Sequence, residues 1–384
     1  MKKHIILSII VIGLCSCQEQ IGLPHKGTSS IEPCSVEIDT LLIPMELSSG
    51  YGNYYMKDST ITFVDAVTCV FYDFDLKGNL INQYFRKGNG KNEIPSLLYS
   101  YPIENDPLHR SVIIDNSNGV CVFDRRSKEI LSRKIANFGW TEKASQTYKS
   151  TYLYNFSFFT DFGVSFYLDS DSTLIFQANI VNRNTKSPED VESDRYTDGA
   201  IFGKLDLNTM KVVDVFGHFP EIYKVSPTPH LEFFQYAIEG DRMYVNHTVD
   251  SLIYVYQLPD KPLYTIGYEC KDIDRDYTVS RKIDNSTLFE KDLQHVGFNT
   301  GLRFIPGSDV LCRAYIKSAK NGESGMQIYK GHDLVADVDV PSFFNFLGYS
   351  DGYYYGSSYI PIENDESTTI AIYRLKIKVN NLAL

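Results

Sequence analysis

The chain has 384 residues, of which 43% are hydrophobic and 22% are charged, a composition typical of a folded protein with a large core. Its formal net charge is −11, and its lysines and arginines are scattered, so it lacks the basic stripe that nucleic-acid-binding proteins use to neutralise phosphates. We therefore expect no nucleic-acid partner, and the 28 tyrosines and 23 phenylalanines favour strands over helices.

The N-terminus has the features of a secretory signal. Residues 1–4 are basic, and the apolar run at 5–14 is about half as long as the roughly 20 residues that a membrane-spanning helix needs. The run ends in Leu14-Cys15-Ser16-Cys17, which resembles the bacterial lipobox. The resemblance implies that residues 1–16 are removed and that Cys17 is lipidated. The alternative is an ordinary signal peptide followed by a chance cysteine.

Lipidation of Cys17 would attach the protein to a membrane. Gln18, rather than Asp, follows the cysteine, which does not favour retention in an inner membrane. We therefore expect an outer-membrane lipoprotein that faces the periplasm or the cell surface. Residues 17–35 are polar, contain Pro and Gly and have no periodicity, so they are predicted to form a flexible tether.

Five further cysteines follow the signal. Cys69, Cys121 and Cys312 lie in apolar, strand-like runs and are predicted to be buried. Cys34 and Cys270 lie in more polar surroundings, where they could pair in an oxidising compartment or stay free. No Cys-x-x-Cys spacing indicates a metal or redox site.

Residues 36–384 read as one domain built from a repeated unit of strands and turns. The unit occurs six times, and an aromatic residue or leucine marks the strand before each equivalent turn. These residues are Phe74, Phe123, Leu205, Tyr256, Tyr329 and Tyr373, at separations of 49, 82, 51, 73 and 44 residues. A period of about 45–50 with two insertions is typical of four-stranded propeller blades. Inner strands are expected at, for example, 96–103, 231–238 and 342–349.

The predicted fold class is therefore all-β, a six-bladed β-propeller. The sixth unit lacks an obvious last strand, and the strand-like run at 36–47 has no partner of its own. We expect this N-terminal strand to close the last blade. A pair of β-sandwiches or a partly helical α+β fold is the alternative, and only residues 278–297 have a helical pattern.

A family resemblance supports this fold. The segments FDLKGNLINQYFRKGNGKNE (74–93) and DSLIYVYQ (250–257) resemble six-bladed, NHL-like or TolB-like β-propeller lipoproteins of unknown function from Bacteroidetes. The resemblance implies a propeller and a lipid anchor, and it implies no particular reaction.

No motif for catalysis or for a cofactor is found. The loop at 86–91 contains glycines and lysines but lacks the GxxxxGK[ST] spacing of a phosphate-binding loop, so it is predicted to connect two blades. The histidines form neither HxH nor HExxH, and no GxSxG occurs. We therefore expect no metal site and no catalytic residue of a known type.

Two functions remain open. The first is a noncatalytic binding or scaffold module of the cell envelope for a glycan, a peptide or a protein partner. The second is a propeller hydrolase or lyase with a divalent metal in its central channel. Position alone suggests the candidate ligand-binding residues, which are Arg86, Asn89, His230, Asn246, His247 and Arg303.

Overall fold

The computed structural model describes residues 22–45, 48–115, 119–135, 148–153, 164–182, 196, 199–280, 285–318, 320–358, 362–364 and 367–379. Antiparallel strands dominate these residues. The helices among them are short: α1 (Glu221–Val225), α2 (Asn285–Asp292) and a 3₁₀ turn at Pro229–Leu231. Helix α2 lies within the segment with the helical pattern. The all-β prediction is confirmed.

The strands follow one another as β1 (Cys34–Pro44), β2 (Gly52–Lys57), β3 (Thr60–Asp65), β4 (Phe71–Phe74), β5 (Leu80–Tyr84), β6 (Tyr99–Glu104), β7 (Arg110–Ile114), β8 (Gly119–Asp124), β9 (Glu129–Ile135), β10 (Tyr148–Leu153), β11 (Phe166–Ser170), β12 (Thr173–Asn182), β13 (Ala200–Asp206), β14 (Lys211–Phe216), β15 (Phe234–Glu239), β16 (Arg242–His247), β17 (Ile253–Gln257), β18 (Lys261–Ile266), β19 (Phe298–Phe304), β20 (Val310–Ser318), β21 (Glu323–Lys330), β22 (Asp333–Val340), β23 (Phe344–Ser350), β24 (Tyr353–Ser358), β25 (Ile362–Asn364) and β26 (Ser367–Val379). The predicted inner strands are present as β6, β15 and β23.

Most strands belong to six antiparallel meanders, which we number in chain order. Meanders 1 to 5 are β2–β5, β6–β9, β11–β14, β15–β18 and β19–β22, and meander 6 is β23, β24, β26 and β1. Strand β10 adds to β12, and β25 adds to β26. The six residues that mark the sequence repeat lie in β4, β8, β13, β17, β21 and β26, so each one lies in the third strand of its meander.

The turn after the third strand is built by an aspartate in several meanders. The Asp75 carboxylate accepts hydrogen bonds from the backbone N–H of Lys77 and Asn79, at 2.8 and 2.9 Å. Asp124 and Asp206 accept from the second and third residues after them in the same way. An aspartate at this position stabilises the turn locally, which is why the strand–Asp–turn pattern repeats in the sequence.

The N-terminal strand belongs to the last meander. Strand β1 runs antiparallel to β26 without a register shift, from Cys34 opposite Val379 to Pro44 opposite Thr369. Val36, Leu41 and Ile43 are half-buried and pack on the core. The first and last strands of the domain are therefore neighbours in one sheet.

The described part of the predicted tether contacts the body. The backbone N–H of Lys26 donates to the carbonyl of Thr265 at 2.8 Å, and that of Ser30 donates to the carbonyl of Leu334 at 3.0 Å. The Tyr268 hydroxyl donates to the Gly27 carbonyl at 2.8 Å. Residues 26–30 therefore lie along meanders 4 and 5, because backbone groups at the edges of these meanders can pair with them.

The first strands of the meanders contact one another in a cycle. Strand β2 contacts β6 and β23, and β19 contacts β15 and β23. Strand β6 pairs with β11 over two residues in parallel, which joins meanders 2 and 3 into one sheet. The Tyr236 hydroxyl of β15 donates to the carbonyls of Ser165 and Ile175 of meander 3, at 2.8 and 3.0 Å.

Buried polar side chains join neighbouring meanders. The Asn53 amide donates to the Ser100 carbonyl at 2.7 Å, and the Gln177 amide donates to the Phe234 carbonyl at 2.6 Å. Between meanders 4 and 5, the fully buried Arg313 guanidinium donates to the Ser251 carbonyl at 2.6 Å and to the Gln327 side chain at 3.0 Å. These contacts satisfy backbone carbonyls that the sheets leave unpaired.

The cysteines test one part of the sequence interpretation. Cys69, Cys121 and Cys312 are buried, as predicted, and Cys34 is exposed. Cys270, expected in a polar setting, is also buried, and its thiol contacts the Asn299 carbonyl oxygen of the side chain at 3.6 Å. All five are free thiols. The polar residues around Cys270 in the sequence misled the prediction because its own side chain faces the interior.

Candidate functional site

A cavity of about 500 Å³ lies where the first strands of the six meanders end. Every meander contributes to its wall. The lining includes Lys57 of β2, Glu104 of β6, Tyr167 of β11, Glu239 of β15, Arg303 of β19 and Tyr349 of β23. We call this space the central cavity.

Tight hairpins position the charged residues of the central cavity. Lys57 is opposite Thr60, so the β2–β3 hairpin turns over only two residues, Asp58 and Ser59. Both residues have positive φ values, 52° and 57°, in the left-handed region. This backbone fits the twist of the two strands and costs about 1 kcal/mol per residue without glycine. It places Asp58 at the rim of the cavity.

Ion pairs connect three meanders across the cavity wall. The Lys57 ammonium contacts Glu104 Oε2, and Arg303 Nη1 lies 3.5 Å from Glu104 Oε1. The three side chains are 30%, 17% and 23% exposed, so all three are largely withdrawn from solvent but reachable from the cavity. The shared carboxylate leaves donors on both cations available to a ligand.

Two further carboxylates carry opposite pKa shifts. Burial raises the pKa of Glu239, and the charge of Asp309 adds to this effect. Burial also acts on Asp58, but Arg125 outweighs it and lowers the pKa of Asp58 below its ordinary value. The cavity therefore presents acceptors of different basicity beside the cations.

Aromatic rings form the apolar part of the wall. Tyr167, Phe304 and Tyr349 line the cavity. Neighbouring rings hold them, because Tyr236 lies 5.1 Å from Tyr167 and Tyr244 lies 4.9 Å from Phe304 between ring centroids. Burial and the nearby Glu104 raise the pKa of Tyr167, so its hydroxyl stays protonated. Charges of both signs and aromatic surface thus meet in one space.

Of the six residues suggested by the sequence, Arg303 lines the central cavity. Arg86 instead pairs with Glu93, whose carboxylate also accepts from the Gly90 N–H at 2.8 Å. The loop that contains Asn89 therefore folds around Glu93, and the bridge between Lys87 and Ile94 closes it. This agrees with a connecting loop.

His230, Asn246 and His247 lie in the interior rather than in the cavity wall. His230 Nε2 lies 2.8 Å from Asp292 Oδ2, a contact between the 3₁₀ turn and α2. The Asn246 amide donates to the Gln235 side chain at 2.8 Å. No described residue hydrogen-bonds to either ring nitrogen of His247, and burial lowers its pKa to about 3.

The sequence interpretation missed Lys57, Glu104 and Glu239, although one signal identifies them. Each is the last residue of the first strand of its meander. An alignment of the repeats places a charged residue at the end of the first strand in three of them. The prediction instead placed the ligand-binding residues at the beginnings of the inner strands and in the loops that precede them.

Three further features concern a metal site, the predicted lipidation residue and a membrane-spanning helix. Among the described residues, no group of three or more His, Cys, Asp or Glu side chains is arranged to hold a metal ion. Cys17 lies outside the described residues. Within the part of the chain that the structure describes, no helix is long and apolar enough to cross a membrane.

Two solved structures of Bacteroides proteins have a similar fold. A DUF4221-family protein of Bacteroides vulgatus aligns with a TM-score of 0.66 at 13% identity, over 90% of this chain and 99% of that one. A protein of Bacteroides fragilis described as a "putative exported protein" aligns with a TM-score of 0.51 at 16% identity, over 93% and 99%. No family model and no curated protein matches the chain. At these identities the likeness is one of fold.

Proposed function

We propose that the six meanders are the blades of a six-bladed β-propeller whose last blade is completed by β1. Three observations support this architecture: the first strands contact one another in a cycle, β1 pairs with β26, and all six meanders line the central cavity. A closed ring buries both faces of each sheet and protects its edges.

The propeller is a lipoprotein of the outer membrane, attached through Cys17 and facing the periplasm or the cell surface. The basic and apolar N-terminal segments and the sequence Leu14-Cys15-Ser16-Cys17 support this location. The exported character attributed to the structurally similar Bacteroides fragilis protein agrees with it.

Its function is noncatalytic binding of a glycan in the central cavity. The observation that carries this proposal is the combination of Lys57, Glu104 and Arg303 with the aromatic rings of Tyr167 and Phe304 around one cavity. Sugar hydroxyls both donate and accept hydrogen bonds, so they fit a wall with cations and carboxylates side by side. Aromatic rings cover the apolar faces of sugars, and the volume of about 500 Å³ is ordinary for a ligand site.

A peptide or a protein partner is the other class of ligand for such a surface. A peptide would use the same charges, but its backbone would need an exposed sheet edge or a groove along which to pair. The cavity instead opens at the ends of strands that are already paired within their meanders. This geometry favours the glycan.

The test is a binding screen of the full-length chain, purified in neutral detergent, against an array of bacterial and plant oligosaccharides and a random-peptide library. We expect oligosaccharides to be retained. The variant Arg303→Met should bind the retained sugars about ten-fold more weakly, because it removes a charged donor from the cavity wall while it keeps the apolar stem.

Arg242→Met is the matched control. Arg242 belongs to the corresponding hairpin of meander 4, but its guanidinium contacts Tyr264 at 3.3 Å outside the cavity. If the protein retained only peptides in the screen, the glycan proposal would be wrong and the ligand class would be a peptide. Equal sugar binding by wild type and Arg303→Met would contradict the central cavity as the site.

A further inference from the structure

A second cavity lies between meanders 1 and 2. It measures about 450 Å³ and is bounded by strands of meander 1 and by the two turns of meander 2 that precede β7 and β9. Its lining residues are Tyr55, Lys57, Asp58, Thr60, Thr62, Asp73, Tyr84, His109, Arg125, Arg126 and Lys128. We call it the basic cleft, and it shares only Lys57 and Asp58 with the central cavity.

The charge of the basic cleft differs from that of the whole chain. Four cationic side chains and one histidine face two carboxylates, whereas the chain has a net charge of −11. Arginine and lysine side chains close to one another repel unless an anion lies between them. A local excess of positive charge in an acidic protein therefore requires a specific reason.

The carboxylates of the cleft compensate only some of these cations. Arg125 Nη1 donates to Asp58 at 3.0 Å, and Lys128 Nζ lies 2.7 Å from Asp73. Lys57 pairs with Glu104 of the central cavity, so Arg126 is the remaining cation of the cleft. Arg126 is exposed and forms no ion pair with any residue that the structure describes. Its Nη2 donates to His109 Nε2 at 2.5 Å. The imidazole acts as an acceptor in this contact, which does not neutralise the charge of Arg126 as a carboxylate would.

Two buried donors in the cleft make no hydrogen bond of standard geometry with the residues that the structure describes. The first is the hydroxyl of Tyr55, a side chain that is 2% exposed, although the Thr62 and Tyr84 side chains lie beside it. The second is Nε of Arg125, a side chain that is 10% exposed. Unpaired buried donors are costly, and native proteins keep few of them without a function. Burial, assisted by Asp73, raises the pKa of Tyr55 to about 12, so the hydroxyl remains a donor at neutral pH.

Lys128 is held in the cleft at a conformational cost. It has a φ of 58°, a conformation that glycine adopts more cheaply, by about 1 kcal/mol. Its ammonium packs 4.4 Å from the centre of the Tyr84 ring and pairs with Asp73. The side chain of Lys128 thus crosses from meander 2 to meander 1, and it fixes one side of the cleft.

We propose that the basic cleft binds an oxyanion, that is, a carboxylate, sulfate or phosphate group. Guanidinium groups bind planar or tetrahedral oxyanions through paired N–H donors. The guanidinium of Arg126 is exposed and has no carboxylate partner among the described residues. Nε of Arg125 and the Tyr55 hydroxyl supply donors at the floor of the cleft. The volume also admits the sugar ring of an acidic saccharide. The site stands independently of the glycan site proposed for the central cavity.

Calorimetric titration of the full-length chain in neutral detergent tests this site, with sodium sulfate, sodium phosphate, sodium glucuronate and glucose as probes at constant ionic strength. We expect at least one of the three anions to bind and neutral glucose not to bind. Arg126→Gln should lower the affinity for that anion about ten-fold, because a neutral donor replaces a charged one. Tighter binding of glucuronate than of sulfate and phosphate would assign the site to a sugar acid, and the reverse order would assign it to a free oxyanion.

Two variants separate binding from folding. Tyr55→Phe removes only a buried hydroxyl that makes no hydrogen bond of standard geometry with the described residues, so it should weaken anion binding several-fold and leave the urea midpoint of unfolding unchanged or higher. Arg86→Gln is the control, since Arg86 is also an exposed arginine but pairs with Glu93 outside the cleft. The proposal is overturned when no anion binds, or when Arg126→Gln and Arg86→Gln bind the anion as the wild type does. Neither result depends on Arg303 or on sugar binding in the central cavity.

Discussion

At the scale of single residues, buried polar side chains have two different roles in this protein. Asn53, Gln177 and Arg313 are satisfied by backbone carbonyls of the neighbouring meander, so they hold meanders together. His247 is buried without a hydrogen-bond partner among the described residues, and four aromatic rings surround it at 5.5 to 6.0 Å. A histidine in this setting stays neutral, which links the stability of the fold to pH.

Replacement of His247 by phenylalanine should make the protein less sensitive to acid. The pKa of His247 is about 3 in the folded state, against about 6.5 in the unfolded state. Above the unfolded value both states are neutral; as the pH falls from about 6.5 to about 3, only the unfolded state takes up a proton, so stability is lost. Between about pH 7 and about pH 5, the free energy of unfolding should fall by about 2 kcal/mol more for the wild type than for His247→Phe.

Urea unfolding at the two pH values measures this difference. His218→Gln is the control, because it removes an exposed histidine whose Nδ1 lies 2.8 Å from the Gly199 carbonyl oxygen, outside the aromatic interior that surrounds His247. An equal fall in the free energy of unfolding for wild type and His247→Phe would show that His247 is not kept neutral by burial.

At the scale of elements, the repeated strand–Asp–turn unit explains why much of the architecture could be predicted. The aspartate after the third strand stabilises its turn through its own neighbours, as Asp75 and Asp124 do, so the pattern needs no distant contact. Strand β1 is different, because its partner β26 lies more than 300 residues away in the chain. Its role could be inferred only from the missing strand in the sixth unit.

Deletion of residues 34–44 from the full chain should lower the free energy of unfolding by about 3 kcal/mol or more, since it exposes the apolar surface covered by Val36, Leu41 and Ile43. The synthetic peptide CSVEIDTLLIP should restore stability as its concentration rises, because it can pair with the free edge of β26. Urea unfolding with the peptide and with a scrambled version measures the effect. Unchanged stability after deletion, or equal rescue by the scrambled peptide, would contradict the closing role of β1.

At the scale of the whole molecule, the proposed lipid anchor at Cys17 is a testable prediction about where the protein lies in the cell envelope. Conversion of Cys17 to Ser should transfer the mature protein from the detergent phase to the aqueous phase in a Triton X-114 separation, because each buried lipid CH₂ contributes about 0.8 kcal/mol to membrane binding. Cys15→Ser should stay in the detergent phase, since residue 15 belongs to the segment whose removal the lipobox resemblance implies. A wild-type protein in the aqueous phase would refute the anchor, and so would a Cys17→Ser variant in the detergent phase.

The sequence by itself determined the features that depend on local order: the strand-rich composition, the sixfold repeat and the turns with their aspartates. These features follow from neighbouring residues and from side-chain periodicity. Only the tertiary structure decided which residues meet. It placed Lys57, Glu104 and Arg303 around one cavity, and it brought Tyr55 of meander 1 to Arg125 of meander 2 in the basic cleft. Residues far apart in the chain become neighbours only when the meanders pack against one another, and no local sequence pattern specifies these long-range contacts.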